Sequence, residues 1–150
     1  MTVRVQEADF DLGAEIAALR AGRPSIGAVA SFIGTVRDIN DGSGVSEMEL
    51  EHYPGMTEKR LAEIDVEAQR RWPLAATIII HRYGTLAPGD RIVLVGTASN
   101  HREAALESCA FLIDWLKTEA PFWKLEEGPA GTKWVEARAS DDARKAAWKK

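Results

Sequence analysis

The sequence predicts an α+β fold, with a mostly antiparallel sheet and flanking helices. Strand-like and helix-like runs are interspersed without the strict alternation of a doubly wound parallel fold. Several strand pairs are joined by short connections, which suit antiparallel neighbours better than parallel crossovers. The chain has 150 residues, 45% hydrophobic and 28% charged, an ordinary balance for one globular unit. It contains no internal repeat, low-complexity segment or linker, so residues 1–150 are read as a single domain.

Val3, Arg4 and Val5 alternate as a short strand. Asp9 to Arg20 reads as a helix, with Leu12, Ile16 and Leu19 on one face and Gly22 near its end. After Pro24, the run from Ile26 to Arg37 reads as a strand. Its small residues Gly27, Ala28, Ala30 and Gly34 suit a bulge or a close backbone approach. Asp38 to Gly44 reads as a polar, mobile loop. Val45 to Tyr53 alternates as a strand, and Pro54-Gly55 makes a turn. Met56 to Trp72 then forms an amphipathic helix carrying Leu61, Ile64 and Ala68. Leu74 to Tyr83 holds the β-branched run Ile78-Ile79-Ile80, suited to a buried strand. Leu86 to Asp90 is a turn, and Arg91 to Ala98 is the next strand. Phe122 to Glu126 and Thr132 to Arg138 read as two strands around a glycine-bearing turn. The charged tail from Asp141 is helical in composition.

The stretch from Ser99 to Lys124 organises the rest. Asn100 is placed to cap a helix, with Glu103 three residues on as in a capping box. His101 and Arg102 fall in the first turn, where free N–H groups and the positive dipole end favour an anion. Ala105, Cys109, Leu112, Ile113 and Leu116 form the apolar stripe, and Glu103 and Glu107 face water. Pro121 ends the helix beyond Lys117. The sixteen residues between His101 and Lys117 span roughly 24 Å of helix axis. One small substrate cannot reach both. Either one end is structural, or a site is assembled from two copies of the chain.

A net charge of −4 argues against a general nucleic-acid binder. The first residues lack the apolar run of a signal peptide. No segment approaches the ~20 apolar residues of a membrane span. One cysteine excludes an internal disulfide and a Cys-rich zinc site. A soluble cytoplasmic protein is expected. No HExxH, glycine-rich phosphate loop, GxSxG or paired-cysteine motif is present. His101-Arg102 is an anion site or a solvated first turn. Lys117 alone is explained by the helix dipole. Lys124, between Trp123 and Leu125, has apolar neighbours in sequence that would lower its pKa and suit it to acid, base or clamp roles. Arg37 is a bidentate anion clamp or a strand-end surface charge. Cys109, on the apolar stripe, is read as a buried inert thiol, and His52 and His81 as structural.

Together these pieces resemble the large, catalytic subunit of molybdopterin synthase. The matching segments are Phe32-Ile33-Gly34-Thr35-Val36-Arg37, Leu50-Glu51-His52-Tyr53 with Met56, and His81-Arg82-Tyr83-Gly84 with Gly89-Asp90. More specific are Ser99-x-His101-Arg102, Leu116-Lys117-Thr118-x-Ala120-Pro121-Phe122-Trp123-Lys124, and Trp134-Val135-Glu136-Ala137-Arg138. The resemblance runs from about Val3 to Asp142. It implies a fold of the α/β-hammerhead type and a homodimer. It also implies a small ubiquitin-like sulfur carrier ending in a Gly-Gly thiocarboxylate, two of which flank the dimer as a heterotetramer. The activity implied is sulfur transfer to cyclic pyranopterin monophosphate, making molybdopterin for molybdenum cofactor biosynthesis, without a metal or organic cofactor. By matching position, Lys117 and Lys124 are catalytic, with Lys117 beside the carrier's terminal carbonyl. The substrate-binding set is Thr35, Val36, Arg37, His101, Arg102, Lys117, Lys124, Glu126 and Arg138. The family draws His101, Arg102 and Arg138 from the neighbouring subunit, which answers the helix-length problem. The competing readings are a dimeric adaptor that docks a ubiquitin-like tail without turnover, and a different phosphate-handling enzyme. With one domain expected, a fused carrier is not.

Overall fold

The computed structural model describes residues 1–40, 43–44, 47–128, 131–135 and 144–148. Residues 39–40, 43–44, 123–128 and 131–135 are described through their backbone. The elements run β1 (Thr2–Gln6), α1 (Leu12–Arg20), β2 (Ala28–Thr35), β3 (Ile39–Asn40), β4 (Ser43–Gly44), β5 (Glu47–His52) and α2 (Met56–Arg71). They continue with β6 (Ala76–Arg82), β7 (Gly84–Leu86), β8 (Arg91–Ser99), α3 (Arg102–Glu119), β9 (Phe122–Gly128) and β10 (Gly131–Val135).

Two four-stranded sheets form, ordered β1-β6-β8-β2 and β10-β9-β5-β7, beside the two-residue ladder β3-β4. Among the described ladders, β1 with β6 is the one parallel pair. The α+β class with a mostly antiparallel arrangement is therefore what the chain adopts.

The first sheet is sandwiched between helices, and strand alternation explains how. Ile78, Ile80 and Leu94 pack with Leu19, Leu12 and Phe10 on the α1 side. Their neighbours Ile79, Val93 and Val95 turn the other way, against Leu61, Ile64 and Ala68 of α2 and Ala105, Cys109 and Leu112 of α3. Met48, Leu50 and Leu86 of the second sheet join this larger core. Burying each such aliphatic side chain contributes about 1.5–3 kcal/mol.

Four local readings need correction. The strand before Arg37 ends at Thr35, with a register shift at Gly34/Thr35. The polar segment after Asp38 is not wholly irregular, since Ile39 and Asn40 pair with Gly44 and Ser43. A short strand, Gly84–Leu86, precedes the turn at 87–90 and pairs with β5. At α3 the N-cap is His101, not Asn100, with extended backbone (φ −127°, ψ 146°) and no side-chain capping bond. The reason lies in β8, whose pairing runs through Ser99 opposite Ala28. Ser99 Oγ also donates to the Pro73 carbonyl at 2.8 Å. Extended geometry is thus held until His101, and the capping-box spacing to Glu103 is lost. The tail beyond Asp141 is described only at 144–148, where 144–146 are helical.

Candidate active site at the two ends of the first sheet

Arg37 leaves the edge strand β2 under close control. The Val36 N–H donates to the Asp90 carbonyl at 2.9 Å, and the Gly89 N–H donates back to the Val36 carbonyl at 2.8 Å. Gly89 has φ 91°, a backbone region that favours glycine. The Asp90 carboxylate closes the turn by accepting the Ala87 N–H at 2.9 Å. Val36 is buried, while Thr35 and Arg37 are exposed on either side of it. Val36 is thus an anchor, with both backbone polar groups engaged.

His101 and Arg102 sit at the opposite end. β2 and β8 are antiparallel, with Ala28 opposite Ser99 and Thr35 opposite Arg91. The Gly27 N–H donates to the Ser99 carbonyl at 3.0 Å. A Cβ at Gly27 would lie 2.2 Å from the Asn100 carbonyl oxygen, so no larger residue fits beside this connection. His101 and Arg102 are exposed beyond it.

Helix α3 then runs back along β8. Thr97 Oγ1 donates to the Ala105 carbonyl at 2.6 Å. Four residues further along the helix, Cys109 Sγ faces the Val95 carbonyl at 4.0 Å. At about 1.5 Å per helical residue and about 3.3 Å per strand residue, Lys117 comes level with the start of β8. Arg37 lies at that same end of the sheet. The fold therefore brings Arg37 and Lys117 to one end, and leaves His101 and Arg102 at the other, roughly 24 Å away by helix rise.

Lys117 is exposed in the last turn of α3. Ala120 closes that turn, and Pro121 leads directly into β9. In β9, Lys124 stands opposite Leu50 and Glu126 opposite Met48. Leu50 is 1% and Met48 3% exposed, so both cross-strand partners belong to the core. Lys124 and Glu126 are described through their backbone, and Arg138 lies outside the described residues.

The titratable groups around this frame divide clearly. Cys109 is buried, and desolvation pushes its thiol up to about 11. It is inert at neutral pH, as its place on the apolar stripe suggested. His81 is 6% exposed and stacked on Phe122, with ring centroids 3.7 Å apart and an interplanar angle of 18°. His52 lies 4.3 Å from the Tyr83 ring. Both histidines take part in ring packing, in keeping with a structural role.

A family model described as MoaE protein matches residues 5–119. The molybdopterin synthase catalytic subunit of Ralstonia nicotianae is 67% identical over 147 residues, 98% of this chain and 84% of that protein. The subunit of the same name from Pseudomonas aeruginosa is 55% identical, covering 99% of each. A solved structure described as the molybdopterin biosynthesis MoaE protein of Burkholderia ambifaria superposes with a TM-score of 0.84 at 58% identity, covering 98% of this chain and 97% of that one. With the matched segment spanning most of the chain and the identity extending along its length, this chain belongs to the MoaE protein family.

Proposed function

We propose that this protein converts cyclic pyranopterin monophosphate to molybdopterin, taking sulfur from the terminal thiocarboxylate of a small ubiquitin-like carrier. The observation that carries this reading is the segment from Lys117 to Lys124. It places two lysines on either side of a helix-to-strand bend, in a chain similar over its length to catalytic subunits of molybdopterin synthase. A catalytic subunit works with another subunit, which suits a carrier docked at this chain. Among the described residues no helix is long and apolar enough to cross a membrane, and we assign the reaction to the cytoplasm.

The chemistry asks for fixed positive charge. Attack involving an acyl thiocarboxylate develops negative charge on oxygen and sulfur. Preorganised cations stabilise that charge better in a closed site than water does. Lys117 and Lys124 are the catalytic pair, and either can hold or move a proton. Lys124 stands opposite the core residue Leu50 in the β5–β9 ladder. Arg37, flanked by Thr35 and anchored through Val36, clamps the substrate's anionic end. Glu126 lies two residues beyond Lys124 on the same strand and completes this end of the set.

His101, Arg102 and Arg138 complete the substrate pocket from a second copy of the chain. The support is the separation just described: the cations at the Ser99 end cannot serve the Lys117 end of their own protomer. A homodimer with one carrier at each site, a heterotetramer, follows.

The test is direct. The purified protein is incubated with thiocarboxylated carrier and cyclic pyranopterin monophosphate, and molybdopterin is followed by fluorescence of its oxidised derivative. Product is expected only when all three are present. Binding of the carrier without product would favour the adaptor reading.

A further inference from the structure

Between Lys117 and Lys124 the chain turns from helix to strand, and one buried hydroxyl holds the bend. The Ala120 N–H donates to the Leu116 carbonyl at 3.3 Å, the last bond of the helix. The Phe122 N–H then reaches back across Pro121 to the Ala120 carbonyl at 2.8 Å. Pro121 has no N–H, so its carbonyl is the group by which other elements can grip it. Thr57 Oγ1 of α2 donates to that carbonyl at 3.2 Å. The same oxygen accepts the Tyr53 N–H at 3.1 Å. A backbone N–H can only donate and a carbonyl only accept, so the hydroxyl's two roles are fixed. Thr57 is 0% exposed. Its own N–H donates to the Tyr53 carbonyl at 2.9 Å, and the Gly55 N–H donates to Glu58 at 3.0 Å, which fixes the start of α2 beneath it. The next ring along, Phe122, is stacked on His81.

From this geometry we infer that Thr57 is a positioning residue for sulfur transfer, its hydroxyl setting the Pro121 bend and so the placement of Lys124 relative to Lys117. The inference rests on the reading of those two lysines as the reacting pair. Thr57 lies sixty residues from Lys117 in sequence, and its hydroxyl reaches the segment between the two lysines at the Pro121 carbonyl. A displacement of about 1 Å at a reacting group can lower a rate about a hundredfold, and loss of the Thr57–Pro121 bond is a way for such a displacement to arise.

The experiment compares Thr57→Val, which keeps shape and loses the hydroxyl, with Thr57→Ser, which keeps the hydroxyl. Single-turnover sulfur transfer is measured alongside the KM for the pterin phosphate, and near-UV circular dichroism establishes folding. Thr57→Val is expected to lower the transfer rate about ten- to a hundredfold, with KM changed less than about threefold. Thr57→Ser should return the rate to within about twofold of wild type. In a Lys124→Ala background Thr57→Val should cost little further, because the group it positions is gone. Should Thr57→Val not fold, Thr57→Ala removes the same hydroxyl and is held to the same rates. A folded hydroxyl-free variant with near-wild-type transfer overturns the inference, as does an undiminished loss in the Lys124→Ala background. Near-wild-type transfer by Lys117→Ala or Lys124→Ala sinks the lysine reading instead, so the two failures are told apart.

Discussion

Asp65 is fully buried on α2, and among the described residues its Oδ1 meets no donor. Desolvation raises its pKa, against weaker lowering by hydrogen bonds from Thr77 and Gln69. Below the unfolded pKa both states hold the proton and burial costs no charge. As pH rises past the unfolded value towards the folded one, only the unfolded chain ionises freely, and stability falls. Melting temperatures of wild type and Asp65→Asn between pH 4 and 8 should therefore diverge, with wild type losing ground as pH increases. A constant difference would mean that Asp65 titrates alike in both states. Lys117 and Lys124 carry the sharpest activity prediction. Alanine at either should cut turnover about a hundredfold or more, the scale of losing one preorganised charge-stabilising group. Folding should persist, since Lys117 is exposed in the last turn of its helix. At Cys109 the expectation is the reverse. Cys109→Ala should keep turnover within about twofold, and iodoacetamide at pH 8 should leave the native thiol unmodified, because a thiol at about 11 is almost wholly protonated there.

Helices α2 and α3 are tied together by the tail. Trp148 Nε1 donates to Asp114 at 2.7 Å, and its ring lies 5.7 Å from both Trp72 and Phe111. Arg144 also reaches Asp114, at 3.0 Å, and Arg71 donates to the Trp148 carbonyl at 2.6 Å. Lys145 pairs with Glu119, the last residue of α3, which Arg60 holds from the other side at 3.0 Å. Trp148→Ala should cost about 2–3 kcal/mol in urea unfolding, below the range for a fully buried aromatic because Trp148 is half-exposed. The elements themselves were legible in the sequence wherever periodicity was long. The stripe of α3 and the Ile78–Ile80 run needed only spacing. What escaped was set by neighbours. Gly84–Leu86 is too short to show a period and becomes a strand because β5 lies alongside. Asn100 is a better cap than His101 by residue type, but the pairing of Ser99 with Ala28 keeps the chain extended one residue longer. The division into two sheets depends on long-range pairing that no local pattern carries. For the site, the specific Lys117–Lys124 motif identified the family. The hydroxyl of Thr57 gave no signal, since its partner lies 64 residues away.

For the whole molecule, the antiparallel course of β8 and α3 decides how a site can be built. Arg37 and Lys117 share one end of the first sheet, and His101 and Arg102 occupy the other. If each site draws from both ends, it must draw from two protomers. His101→Ala and Lys117→Ala, each inactive alone, should then restore activity when subunits exchange. In a mixed dimer one site carries both lesions and its twin none. Random exchange makes about half the dimers mixed, so about a quarter of wild-type activity should return. No recovery, with exchange verified by mass spectrometry, would place the site within one chain. Cys109 is buried. It is the only cysteine among the 150 residues, and it lies on the buried face of α3 against β8, where desolvation pushes its thiol up to about 11. Many sulfur-handling enzymes park the atom as a persulfide on a reactive cysteine before passing it on. Cys109, buried and protonated, is poorly placed for such a role. If the proposed transfer runs directly from donor to acceptor, alignment of the two partners, and not a nucleophilic thiol of the protein, is the quantity the fold has to control.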